Sequence, residues 1–251
     1  MSKDVTKPIL LSVVIPTYGV EEALADTVRE AAKAAETAVG EQFEVVIPYT
    51  PRRGETEDTI RNLRTLPDRT IIVVEPRRGY GRAYIAGFKR CRGRLIVTLD
   101  ADLTYPLDIL PRAVTVFEAL NLDFLNTDRL QVHEDCAFTW SHNLGNRVLS
   151  RVMNLLFNTG FNDSQSGMWL IRRDSIDKMK FEGIHWEFSA EIKIEARIRR
   201  LRCAETPIRY RARMAGSTTN SWREGLKIAL FMLAKRLGAV RLFHSIIRPP
   251  V

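Results

Sequence analysis

Between Ile9 and Asp102 the chain repeats one pattern: short, nearly continuous β-branched runs (LSVVI, EVVI, TIIVV, LIVTL) separated by longer segments interrupted by polar residues. Strands without polar alternation are covered on both faces, and their alternation with helical stretches is the mark of βαβ units wound onto a parallel sheet. Strands are therefore expected at Leu10–Ile15, Phe43–Pro48, Thr70–Glu75 and Arg94–Leu99, with helices at Glu21–Val39, Glu57–Leu66 and Arg82–Cys91. Beyond Asp102 the pattern predicts a helix at Leu107–Leu120, a short strand near Phe124–Asn126 and a long helix through Asn143–Phe157. A further helix from Phe188 to Arg200 and an edge strand containing Pro207 complete it. The expected organisation is one α/β domain over residues 1–219 followed by a basic C-terminal helix over 220–251.

In open α/β sheets ligands bind beyond the carboxyl ends of the strands, so the residues after each apolar run carry the most information. Pro16-Thr17-Tyr18 follows the first run, where proline ends the ladder and the tyrosine ring could cover a nucleotide base. Asp100-Ala101-Asp102 follows the fourth. Carboxylates two residues apart in extended backbone point to the same side and offer hard oxygen ligands for Mg²⁺ or Mn²⁺, which would neutralise a diphosphate. A solvated turn is the alternative for such a pair standing alone, and its place at the tip of a buried strand favours the metal.

The formal charge of +8 and pI of about 9.6 predict a polyanionic partner, whether nucleic acid, an anionic bilayer or a phosphorylated substrate. No nucleic-acid module or interleaving of aromatic and basic residues accompanies the charge, so nucleic acid is not expected. Cys91, Cys136 and Cys203 are widely spaced with no CxxC, which points away from a disulfide framework or structural zinc. The N-terminal MSKDVTKPIL has no apolar stretch fit for a signal peptide, so a cytoplasmic catalytic part is expected. None of His133, His142, His185 and His244 has metal-ligand spacing, and His133 and His142 read as surface residues.

The segments SVVIPTY (Ser12–Tyr18), RRGYGRAYIAGFKRCRGRLIVTLDADLTYP (Arg77–Pro106), DSQSGMWLIRRD (Asp163–Asp174) and EIKIEARIRRLRCAETPIRYRARMAGST (Glu191–Thr218) follow one another in the order of a known family. The chain resembles a family 2 glycosyltransferase of GT-A fold, within the group of dolichyl-phosphate mannose synthases and related polyprenyl-phosphate sugar synthases. The resemblance implies that Asp100 and Asp102 bind the divalent metal, with Thr104 completing the shell. It implies that Pro16, Tyr18 and Glu22 hold the nucleotide, that the Gly79–Arg82 loop approaches the donor phosphates, and that Arg213 belongs to a loop closing over the donor. On the acceptor side it implies Arg129, Arg147 and Ser150 around a lipid phosphate, with Arg147 offset by one place and Asn146 in the family's position. Guanidinium groups suit phosphate oxygens through paired, charge-assisted hydrogen bonds. A solvated helix face is the alternative for Arg147 and Arg151.

Asp163, Ser164, Ser166 and Gly167 look like the family's acceptor-side turn, although an ordinary loop has the same composition. Glu191 falls on a family glutamate that either orients the sugar or favours a helix N-terminus. Two departures stand out. The second strand ends in Pro48-Tyr49-Thr50-Pro51-Arg52-Arg53-Gly54 rather than in acids, so either Glu55, Glu57 and Asp58 fold back or backbone and Tyr49 recognise the base. The lysine expected after Arg213 is replaced by Thr218-Thr219-Asn220.

From Ser221 to Val251, Leu226, Leu230, Leu233, Leu237 and Val240 recur at helical spacing among Arg223, Lys227, Lys235, Arg236 and Arg241. Ile228–Ala234, the longest uncharged run, cannot span a bilayer. This stretch either packs on the domain or lies at a membrane surface, and many relatives carry membrane spans after this point, so peripheral binding or a small anchoring subunit is expected. The expected activity is inverting transfer of a sugar from a nucleotide-sugar to dolichyl or polyprenyl phosphate at the cytoplasmic membrane face. The rival readings are a same-fold transferase with a polysaccharide or protein acceptor and a catalytically silent nucleotide-sugar binding subunit.

Overall fold

The structure, a computed structural model, describes residues 8–19, 22–55, 66, 67, 69–133, 140–212 and 222–247. Its strands are β1 (Leu11–Val14), β2 (Thr17–Tyr18), β3 (Phe43–Thr50), β4 (Thr70–Val74), β5 (Leu95–Thr98), β6 (Phe124–His133), β7 (Trp169–Arg172) and β8 (Cys203–Tyr210). They form one sheet in the order β2-β3-β1-β5-β7-β6-β8, with β4 paired to β3. β1 runs parallel to both β3 and β5, as the βαβ reading requires. β7 is the exception, antiparallel to β5 and to β6.

The helices are α1 (Leu24–Val39), α2 (Tyr80–Arg90), α3 (Leu110–Ala119), α4 (Trp140–Phe157), α5 (Arg173–Ile176), α6 (Phe188–Ile198), α7 (Trp222–Arg236) and α8 (Val240–Ile247). A 3-10 turn at Leu107–Ile109 leads into α3, whose Pro111 occupies the first turn, where its missing N–H costs nothing. Side-chain alternation along the strands divides the core between the two faces of the sheet. Leu11, Val13, Ile15, Val45 and Ile47 pack beneath Leu24, Val28 and Ala31 of α1 and Phe117 of α3. Val14, Val46 and Ile96 pack with Tyr84 and Phe88 of α2 and Phe188 and Ile192 of α6. Both covers are needed, which is why the runs read as uninterrupted hydrophobes.

Several sequence expectations shift. β3 continues through Pro48 to Thr50, because the proline falls in a gap of the ladder: Val46 is the last residue opposite β1 and Tyr49 the first opposite β2. The strand expected near Phe124–Asn126 extends to His133 and pairs with β8, which lies at the sheet edge as its Pro207 predicts. β7 and α5 were not expected at all. The helix expected at Glu57–Leu66 lies outside the described residues, Leu66 excepted.

The C-terminal stretch is two helices, separated by Gly238 at φ +69. α7 buries Ile228, Phe231 and Met232 and exposes Leu226, Leu230 and Leu233 on its opposite side. Val240 of the expected apolar stripe is buried with Phe231 and Phe243, and Lys235, one of the cations around that stripe, is only 6% exposed. Among the described residues no helix is long and apolar enough to cross a membrane.

Candidate active site

The carboxyl ends of β1, β3, β5 and β6 and the start of the reversed β7 meet at one edge of the sheet. Leu99 leaves β5 still bonded to Val14 of β1, and Asp100 and Asp102 follow it immediately. Asp102 is nearly buried and accepts hydrogen bonds at Oδ1 from the Thr104 amide (3.2 Å) and hydroxyl (2.6 Å). Thr104, expected in the metal shell, is thus seen orienting Asp102. The Tyr80 hydroxyl donates to Asp100 Oδ1 at 3.2 Å. Burial, and after it the charge of Asp100, raises the Tyr80 and Tyr84 phenols well above their ordinary pKa, so both stay protonated as donors.

Reversal of β7 brings the Asp163–Gly167 turn to the same edge. Leu170 lies opposite Val97, and Trp169 opposite Asn126. The turn is held rigidly. Gly167 accepts from the Thr98 hydroxyl (2.8 Å) and donates its amide to the Tyr105 hydroxyl (2.6 Å), while Trp169 donates its amide to Thr98 Oγ1 (3.0 Å). A Cβ at Gly167 would lie 3.0 Å from both Asp100 oxygens and 2.8 Å from the Tyr80 hydroxyl, so glycine alone lets backbone come this close.

Behind the turn, Arg129 of β6 makes a buried bidentate pair with Asp163, Nε to Oδ2 at 2.7 Å and Nη2 to Oδ1 at 3.0 Å, and packs on the Tyr210 ring. Burial would raise the Asp163 pKa, but the guanidinium outweighs it and holds the carboxyl below the usual range. The charge of Arg129, expected on the acceptor side, is paired with Asp163 within the fold, and the pair fixes the turn. Ser150 is likewise internal. Its hydroxyl accepts from the Ser164 amide (2.9 Å) and donates to Asn146 of its own helix (2.9 Å). Ser166 Oγ lies 2.7 Å from Thr127 Oγ1. Arg147, by contrast, sits on an exposed part of α4, bonded to Asn143 and to the Leu130 carbonyl.

Lys193 of α6 escaped the sequence reading. Fully buried, it donates to the carbonyls of Ser164 (3.2 Å), Ser166 (3.0 Å) and Ser189 (2.8 Å) over the Trp169 ring. Burial pushes its pKa down to about 7, against the pull of Asp163.

Among the residues expected to hold the nucleotide, Tyr18 stands partly exposed between two guanidiniums, Arg78 at 4.7 Å and Arg52 at 5.4 Å from its ring centre. Pro16 is half-buried and Glu22 exposed at the approach to α1. Gly79, at φ +154, opens α2 with the Ile184 carbonyl 2.3 Å from where a Cβ would stand, and Arg82 donates its amide to that carbonyl. At the end of β3, Glu55 folds back to accept from the Tyr49 hydroxyl (2.6 Å) and the Arg52 amide (2.7 Å), which helps push the buried Tyr49 phenol up to about 12. Glu57, Asp58 and Arg213 lie outside the described residues. Glu191, expected either to orient the sugar or to sit at a helix N-terminus, accepts from the amides of Glu182 and Gly183 and from Lys235, which ties its carboxylate to the fold.

Asp100 and Asp102 provide hard oxygen donors at a glycine-lined edge, and among the described residues no cluster of three or more His, Cys, Asp or Glu could enclose a metal. That donor set fits a Mg²⁺-like cation, which takes one or two protein carboxylates and completes its shell with water and substrate phosphates.

The class defined by this sheet and its edge is an α/β protein of the GT-A type. A family model, Glycosyl transferase family 2, matches residues 12–180, and the chain belongs to that family. It is 30% identical over 231 residues to the low-salt glycan biosynthesis hexosyltransferase Agl6 of Haloferax volcanii, covering 91% of this chain and 54% of that protein. To an undecaprenyl-phosphate 4-deoxy-4-formamido-L-arabinose transferase of Pseudomonas fluorescens it is 32% identical over 173 residues, 67% of this chain and 49% of the other. The chain thus spans about half the length of these curated relatives. Among solved structures it is similar in fold to glucosyl-3-phosphoglycerate synthase of Mycobacterium tuberculosis with Mn²⁺, UDP and glucosyl-3-phosphoglycerate (TM-score 0.65, 16% identity, 92% of this chain and 80% of that one). It is also similar to mannosyl-3-phosphoglycerate synthase of Rubrobacter xylanophilus (TM-score 0.69, 14% identity, 92% and 76%).

Proposed function

We propose that this chain is the catalytic part of an inverting, metal-dependent glycosyltransferase that moves a sugar from a nucleotide-sugar onto a dolichyl or other polyprenyl phosphate. The observation that carries the reading is the contact between its two halves: the Asp163–Gly167 turn is locked against Asp100 at the tip of β5. Relatives named as undecaprenyl-phosphate sugar transferases support the acceptor class, and the fold's occurrence with Mn²⁺ or Mg²⁺ and UDP supports the cofactor.

Asp100 and Asp102 would hold the cation, which when bound supplies charge neutralisation for the departing nucleoside diphosphate. The Gly79–Arg82 loop and the Tyr18 platform between Arg52 and Arg78 orient the donor, and by the family resemblance Arg213 would contact it too. Arg147, exposed on α4, would meet an incoming phosphate, while Arg129, Ser150, Ser164 and Ser166 would set the shape of the turn that receives it. An acceptor that is already an anion needs no strong general base: its oxygen attacks the anomeric carbon, the bond to the diphosphate breaks, and orientation accounts for much of the acceleration.

The site of action would be the cytoplasmic membrane face. α4 exposes Trp140, Leu144, Val148 and Leu155, and α7, packed beside it, exposes Trp222, Leu226, Leu230 and Leu233. Arginines and lysines flank both rows, the composition of an interfacial surface for anionic lipid. A small anchoring subunit would serve the same end.

The test is a panel of UDP- and GDP-sugars with undecaprenyl or dolichyl phosphate and Mn²⁺ or Mg²⁺. Transfer onto the lipid phosphate that disappears in Asp102→Asn is expected. Transfer unaffected by Asp102→Asn, or directed only to a polysaccharide or protein, would overturn the proposal.

A further inference from the structure

The C-terminal helices are joined to the catalytic domain by buried charge. Lys235, in the last turn of α7, places its ammonium 2.7 Å from Glu191, 3.0 Å from Glu195 and 3.7 Å from Glu182. Lys235, Glu191 and Glu195 are all nearly inaccessible, and a buried carboxylate stripped of its cation is costly, so this contact is a strong constraint on where α7 sits.

Glu191 passes the constraint on. Its two oxygens accept from the amides of Glu182 (2.9 Å) and Gly183 (2.7 Å). His244 of α8 reaches the same segment, its Nε2 lying 3.0 Å from the Glu182 carbonyl. On its far side that segment abuts the start of α2: the Gly183 carbonyl would be 2.7 Å from a Cβ at Gly81, the Ile184 carbonyl 2.3 Å from one at Gly79, and Ile184 accepts from the Arg82 amide. Trp186 then stacks on Tyr80 with ring centres 4.5 Å apart, and Tyr80 bonds Asp100. The links are buried or part-buried hydrogen bonds and close packing contacts, and the series from Lys235 to Asp100 is continuous.

We propose that Lys235 is a positioning residue for the donor side of the site: through Glu191 it holds residues 182–187 against the Gly79–Arg82 loop and so sets Tyr80 against Asp100. The α7–α8 pair is then part of the donor site's frame, not a separable membrane tether. The donor assignment itself rests on the function proposed above.

The test compares the whole chain with Lys235→Met, and with Lys227→Met on the exposed side of α7 as control. Hydrogen exchange of peptides covering residues 79–90 and 182–187 should quicken about tenfold in Lys235→Met, as loss of a charged hydrogen bond in the chain of contacts predicts, and stay unchanged in Lys227→Met. The dissociation constant for UDP or GDP with Mn²⁺, corrected for the folded fraction, should weaken by a similar factor, which a purely structural role would not produce. If Lys235→Met does not fold, Glu191→Gln, which keeps the ammonium paired with Glu195, must show the same pattern to a smaller degree. Faster exchange confined to α7 and α8, with residues 79–90 unaltered, would overturn the proposal. Should neither nucleotide bind the unmodified protein, the donor reading fails while the exchange data still decide whether the coupling exists.

Discussion

Lys193 makes the stability of this fold depend on pH in an unusual direction. Burial lowers its pKa from the ordinary 10.5 to about 7, with Asp163 and Glu205 pulling upward and Arg129 pushing further down. Between those two values the unfolded chain binds a proton that the folded chain does not, so stability rises with pH there instead of falling. The slope contributed by one such group is about 1.4 kcal/mol per pH unit, or up to about 2.5 kcal/mol between roughly pH 7.5 and 9.5. Lys193→Met removes the titration and leaves the carbonyls of Ser164, Ser166 and Ser189 without this donor, a loss on the order of 1–3 kcal/mol that does not vary with pH. The measurement is urea unfolding of both proteins at half-unit pH steps. The stability of the parent minus that of Lys193→Met should climb across this window, and taking the difference cancels the tyrosines and cysteines common to both. A difference that is flat or falls with pH would show that the ammonium stays protonated in its three-carbonyl cage, and the argument from burial would be wrong.

Two further outcomes are expected. Asp163→Asn leaves the Arg129 guanidinium buried without its counter-charge and should destabilise the protein by about 3–5 kcal/mol in chemical denaturation, while a paired exchange of both for apolar residues should cost much less. Replacing Leu144 and Leu155 of α4 by glutamate, both exposed, should leave the melting temperature within a few degrees yet abolish co-sedimentation with anionic vesicles; undiminished sedimentation would count against the membrane-facing assignment of that helix.

Much of this fold can be read from the sequence because the decisive strands are buried on both sides, and such strands have a composition that little else shares. β1, β3, β4 and β5 fall where the β-branched runs put them, and the aspartates at the end of β5 follow from that placement. β7 is only Trp169–Arg172, too short to show a period, and its direction depends on partners far away in sequence. The same is true of the buried ions. A lysine in a helix reads by default as solvated, and nothing near Lys193 or Lys235 in sequence announces the carbonyls of a turn or the carboxylates of another helix. Arg129 and Asp163 both stand out in the sequence as candidate site residues, but their pairing spans 34 positions and only folding reveals that each answers the other's charge. Pro48 misled in the opposite way, since a proline usually stops a strand and here it occupies a gap between two neighbours.

The reversed strand β7 bears on how the proposed donor and acceptor would be brought together. Because β7 runs against β5, the strand that follows the Asp163–Gly167 turn is laced by main-chain hydrogen bonds to the strand that leads to Asp100 and Asp102. Their spacing is settled once, when the sheet assembles, and no hinge stands between them. On the proposed function, a change of acceptor would be achieved by reshaping the rim contributed by α4 and β6, because shifting the turn itself would mean slipping a whole strand past its neighbours.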